Sequence, residues 1–123
     1  MQFTLDARAD IHVVRAYAPG EVRVGERIVR SNCLLAAHAL IESWGPQSPQ
    51  ELAPAHLSAV FELEPQLVLL GTGSVHLNAS AGVRSAFAAR GVGLEAMTLG
   101  AACRTYNVLV QEERRVVAML FLR

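Results

Sequence analysis

Continuous apolar runs alternate with amphipathic ones through the back half of the chain, and this constrains the fold more than any other feature. Leu67-Val68-Leu69-Leu70 is apolar throughout and stops at Gly71-Thr72-Gly73. Ala79 to Arg90 has helical spacing, with Asn78 or Ser80 as its cap and Gly91 just past its end. Val92 to Met97 reads as a strand, and Thr98 caps a helix running to about Gln111. Val116 to Leu122 is a last strand, apolar on both faces. Strand, helix, strand, helix, strand with short links predicts parallel strands joined by right-handed crossovers.

The front half reads differently. Residues 11 to 17 are β-branched and aromatic, and Pro19-Gly20 ends them. Two short runs flank Gly25-Glu26, which predicts a tight hairpin with Val22, Val24 and Ile28 on one face. Cys33 to Ala37 continues as a strand, while His38 to Trp44 fits strand or helix equally. Gly45-Pro46-Gln47-Ser48-Pro49 is a surface loop. It separates a β-rich part, residues 1–44, from an α/β part, residues 50–123, within one expected domain of residues 1–123. A short helix around Pro54 to Leu63 opens the second part, with Leu57, Val60 and Phe61 as its apolar stripe.

Composition excludes several functions. Hydrophobic residues make up 52% and charged residues 18%, so some strands must be buried on both faces. Formal net charge is zero, and aromatic residues make up only 6%, which leaves neither a basic patch nor a stacking platform for nucleic acid. All basic residues are arginine, so a Schiff-base lysine and the lysine of a P-loop are ruled out. His12, His38, His56 and His76 show neither H-x-x-x-H nor H-x-H spacing, and no cysteine sits near them at ligand distance. No metal or cofactor is expected. The distant cysteines read as free, buried thiols of a reducing compartment. Met1-Gln2-Phe3-Thr4-Leu5-Asp6 shows no leader pattern, and no apolar run approaches the roughly 20 residues of a membrane-spanning helix. A cytoplasmic location is therefore expected.

Two motifs carry what functional signal there is. Gly71-Thr72-Gly73 falls at the carboxyl end of a strand, where α/β sheets gather ligands. With Thr98 it forms a candidate ligand loop, against the plainer reading of a tight turn. It is no dinucleotide fingerprint, because His76 occupies the third glycine position and the next helix starts too late. The second motif is Ala101-Ala102-Cys103-Arg104-Thr105-Tyr106-Asn107. On a helix Ala102, Tyr106 and Leu109 share an apolar side, while Arg104, Asn107 and Gln111 share a polar one. That polar stripe is either a solvated face or, with Arg114 and Arg115, a candidate interaction surface. No catalytic constellation is complete, so no catalytic residue is assigned.

Three segments together resemble a family of small bacterial and archaeal domains whose eukaryotic members include the third assembly factor of mitochondrial respiratory complex I. They are Leu67 to Gly73, Ala101 to Leu109, and Glu112 with Arg114, Arg115 and Val116. The resemblance implies a three-layer β+α/β/α fold with a mixed central sheet and an N-terminal β element. It implies no established enzyme activity, metal or cofactor. The family often has glycine between its Glu and first Arg. This chain has Glu113 there, which implies a different backbone conformation at the turn.

The leading functional reading is a non-enzymatic accessory protein that binds another protein, in the assembly of a membrane-associated complex. The alternative is a small-molecule or anion-binding domain, or an enzyme, with a pocket at Gly71-Thr72-Gly73. A homo-oligomer is the third reading. A deep polar cleft at Gly73 favours the alternative, and a filled surface there favours the other two.

Overall fold

The computed structural model describes residues 10–123; the opening hexapeptide, read above for a leader, lies outside them. Strands β1 (Val14–Ala18), β2 (Glu21–Val24) and β3 (Arg27–Val29) form a small antiparallel sheet in that order. The hairpin turns at Gly25-Glu26 and pairs Val22 with Val29 and Val24 with Arg27. Partners across a two-residue turn lie an odd number of positions apart. The even-numbered valines of β2 therefore share a face with odd-numbered residues of β3. Val29 is buried on that face, whereas Ile28, expected there, lies opposite Arg23 and is 44% exposed.

The next strands are β4 (Cys33–Ala36) and β5 (Ala39–Ile41), so His38 to Trp44 begins as a turn and a short strand. Two 3₁₀ turns, Pro49–Glu51 and Pro54–His56, lead into α1 (Ser58–Glu62). Then come β6 (Leu67–Thr72), α2 (Ala81–Arg90), β7 (Gly93–Met97), α3 (Leu99–Gln111) and β8 (Val116–Phe121). Ser80 caps α2, its hydroxyl accepting from the Val83 N–H, and Gly91 ends the helix in the left-handed region.

The central sheet has the order β5-β4-β8-β6-β7. Strands β8, β6 and β7 are parallel, while β4 is antiparallel to β8. The chain leaves β6 through α2 to reach β7 on one side, then returns through α3 to β8 on the other. Right-handed crossovers in opposite directions put their helices on opposite faces. The core divides accordingly. Val116, Ala118 and Leu120 of β8 pack with Ala102, Tyr106 and Val110 of α3, and the small sheet closes the same side. Val117, Met119 and Phe121 pack with Val83 and Phe87 of α2. The result is the mixed β+α/β/α architecture, with β8 buried along its whole length at its centre.

Candidate functional site

Ligand crevices in such sheets open where neighbouring parallel strands send their chains to opposite faces. Here that place lies between the carboxyl ends of β6 and β7, at Gly71-Thr72-Gly73 and Met97-Thr98. The chain fills it with its own groups. Thr72 is 2% exposed, and its hydroxyl lies 2.7 Å from the Val75 carbonyl and 3.2 Å from that of Met97, sharing one proton between them. The same oxygen accepts from the Leu77 N–H at 3.2 Å. Gly73 has a φ of 74°, and a Cβ there would lie 2.3 Å from the carbonyl of Arg123. Thr98 takes the cap position, but its hydroxyl makes no capping bond. The Leu99 N–H donates instead to the Gly73 carbonyl at 2.8 Å. Beside this joint, Gly73, Ser74 and Thr98 line a hollow of about 400 Å³ whose remaining wall is largely Tyr17, Pro19 and Leu122.

Along α3 the expected polar stripe divides. Arg104 and Gln111 are exposed. Asn107 is half-buried: its amide donates to the Val14 carbonyl at 2.8 Å and accepts from the Val14 N–H at 2.8 Å. It thus acts as a strand partner for β1 where the β1–β2 pairing slips between Val14 and Ala16. Next to it Tyr106, fully buried, donates its hydroxyl to the His12 carbonyl at 2.8 Å. The run from Ala101 to Asn107 therefore fastens the N-terminal β element to the main domain. Arg104 lines the same hollow as Asn107 and donates to the hydroxyl of Tyr17, a residue 43% exposed. The Tyr17 ring sits where a side chain on Gly100 would be, only 2.8 Å from a Cβ placed there. Val108, 56% exposed, extends this face. Among the described residues neither Arg15 nor Arg104 has a carboxylate partner, and both line a hollow of about 390 Å³ between β1 and α3. By contrast, Arg23, Arg27 and Arg30 on the small sheet are paired with Glu26, Glu42 and Glu21.

Cys103 lines the same hollow but is 1% exposed, and burial pushes its thiol up to about 12. Cys33 is likewise buried and pushed up to about 12, chiefly by burial, with Cys103 adding to it. Both are free cysteines. Held as neutral thiols, neither has the thiolate character of a nucleophile. Among the described residues no His, Cys, Asp and Glu group could hold a metal ion.

Arg114 and Arg115 belong to a different place. They follow the end of α3 at Gln111, itself about 10 Å along the helix axis from Arg104 at 1.5 Å per residue. The helix closes with Arg114 N–H on the Leu109 carbonyl and Glu113 N–H on that of Val110, the pattern that calls for a left-handed residue between. Glu113 supplies it with a φ of 64°. Glu113 thus holds a left-handed conformation that glycine adopts without steric cost. Beneath this turn is a cleft of about 540 Å³, where His38, Glu113, Arg114 and Arg115 surround an apolar floor that includes Ile11, Leu63 and Val110. It exists because the β4–β8 ladder ends at Leu35–Ala118, although β8 runs back to Val116 beside β6.

A family model described as "protein of unknown function (DUF498/DUF598)" matches residues 14–121. The chain belongs to this family. A Danio rerio protein named NADH dehydrogenase [ubiquinone] 1 alpha subcomplex assembly factor 3 is 29% identical over 110 residues, covering 88% of this chain and 63% of its own length. A Francisella tularensis protein named 13 kDa major membrane protein is 31% identical over 71 residues, 58% of each chain. This chain thus spans about three fifths of either relative. Xanthomonas campestris XCC1710, solved by NMR, superposes with a TM-score of 0.85 at 38% identity, covering 99% of this chain and 92% of that one. The family resemblance read from the three segments and the fold it implied both hold.

Tyr17, Arg15 and His38 escaped the reading of the sequence. Tyr17 lies in a run read only as a strand, and the fold alone lays its ring against Gly100. Of the five residues read as one surface, Arg114 and Arg115 line a different hollow from Arg104, and Asn107 is used internally.

Proposed function

We propose that this protein is a non-enzymatic accessory factor that binds another protein through the outer face of α3, in the assembly of a membrane-associated complex. The carrying observation is the exposed Tyr17–Arg104 pair, with Arg15 beside it and Val108 one turn along α3, and with no carboxylate neutralising its arginines among the described residues. Tyrosine and arginine dominate the energetics of protein interfaces because each offers a large contact area with a polar tip. Two guanidiniums without a carboxylate partner among the described residues, beside an aromatic ring, suit an acidic protein surface with an apolar centre. The name of the Danio rerio relative supports the assembly role. Arg114 and Arg115 would extend the contact only if the partner also reaches the far end of α3.

The reading takes residues 1–123 as one domain, since β4 from the front part pairs with β8 at the core of the other. It also takes the protein to work in the cytoplasm, supported by the two free buried cysteines. No helix among the described residues is long and apolar enough to cross a membrane.

The test is site-specific photo-crosslinking in the native cell, with the probe at Val108 and, as a control, at Ile28 on the small sheet. A discrete protein adduct from Val108 that is absent from Ile28, and lost with Arg104→Glu, supports the reading. Adducts from both positions alike, or from neither, contradict it.

A further inference from the structure

The cleft beneath the Glu113–Arg115 turn is built unlike the α3 face, and we infer that it binds an amphipathic monocarboxylate, an apolar body with one carboxylate head. Its floor is apolar, with Ile11, Leu63, Val110 and Val116 contributed by separate parts of the chain. Among the described residues its cationic and donor groups are Arg114, Arg115 and His38, beside one acid, Glu113. Its volume of about 540 Å³ falls within the roughly 300–1,000 Å³ of small-molecule sites. Nothing comparable in charge lines the hollow at Gly73.

The rim chemistry selects the head group. Arg115 is held in place, its Nε–H donating to the Glu64 carbonyl at 3.1 Å and its backbone N–H to the Gln66 side chain at 3.3 Å. A guanidinium fixed in this way loses little freedom when it binds an anion. Arg114 is exposed and has no ion pair among the described residues. Among the described residues two guanidiniums and one carboxylate line the cleft, a balance that suits one negative charge better than a dianionic phosphate. Carboxylates pair with arginine in a planar, two-bonded geometry. The floor then takes the apolar body, and its burial supplies most of the affinity.

Decanoate is the probe, with decanol as its uncharged counterpart, titrated into the full chain below the concentration at which decanoate forms micelles. Backbone amide NMR reports the location. The expected result is saturable shifts at Ala37, His38, Leu63 and Val116, much weaker binding of decanol, and affinity lowered about tenfold by Arg114→Gln, the loss of one charge-assisted contact. Arg104→Gln, on the other surface, should leave the affinity unchanged. Ala37→Trp, which fills the cleft, should abolish binding while the spectrum remains folded. Equal binding of decanol, shifts centred on Tyr17 or Gly73, or full affinity in Arg114→Gln would overturn the assignment. So would an acidic peptide that occupies the cleft more tightly than decanoate. Because decanoate should not block crosslinking at Val108, this inference and the proposed function fail separately.

Discussion

The two ends of the central sheet differ in what they do with their backbone. At the carboxyl ends of β6 and β7, Thr72, Gly73 and Leu99 bond to one another's chain segments and close the place where such folds usually bind ligands. At the amino end of β8, the β4 ladder stops short and leaves a cleft with arginines at its rim. A favoured position in a fold is therefore not a site unless the side chains leave it open. Here the motif with the stronger ligand signal in the sequence is bonded to its own chain beside a hollow of about 400 Å³, and the larger cleft, about 540 Å³, lies at the other end.

The comparison breaks most readily at Gly73. Alanine there would need both a left-handed backbone and room now taken by the Arg123 carbonyl at 2.3 Å. Gly73→Ala is expected to cost about 4 kcal/mol, among the largest single-residue effects. Denaturant unfolding measures it, and a loss below about 1 kcal/mol would mean the joint is slack. Tyr106→Ala should cost about 3 kcal/mol, since a fully buried ring and its bond to His12 are both lost. Amide exchange should then accelerate first in β1. If β1 remains protected, Tyr106 is not what fastens the N-terminal β element.

The smallest effect sharpens the other end. Two helices close in the same way, α2 through Gly91 with φ 67° and α3 through Glu113 with φ 64°. Glycine accepts this conformation freely, whereas a residue with a Cβ strains by about 1 kcal/mol. Both Glu113→Gly and Glu113→Ala remove the same carboxylate, so their difference isolates the backbone. Glu113→Gly should be the more stable by about 1 kcal/mol in paired thermal melts. Equal melting temperatures would show that the α3 turn is not strained.

Much of the fold was legible because period and punctuation agreed. Val116 to Leu122 has no polar residue on either face, and only a central strand tolerates that. Ser80 and Gly91 bracket α2 as capping chemistry requires. The error at Ile28 has a simple cause: the turn was placed correctly, but its two residues reverse which parity faces inward. The site was less legible. Helical spacing puts Arg104, Asn107 and Gln111 on one side, yet it carries no information about β1 lying across part of that side and binding Asn107. Likewise Gly71-Thr72-Gly73 marks a tight backbone approach without saying whether a ligand or the chain itself makes it. The cleft arises where two strands part, and no local pattern marks that.

The central claim is that Thr72 and Asn107 hold the chain together, while Arg104, bonded to the exposed Tyr17 hydroxyl, and Arg114 serve the proposed binding surfaces. Equilibrium unfolding of Thr72→Val, Asn107→Ala, Arg104→Ala and Arg114→Gln under one set of conditions tests it directly. The first two leave buried or half-buried backbone groups without a partner and should each lose about 1–3 kcal/mol. The two arginine variants should stay within about 0.5 kcal/mol of the parent, as exposed substitutions do. Arginine variants as unstable as Thr72→Val, or a Thr72→Val protein as stable as the parent, would contradict the account.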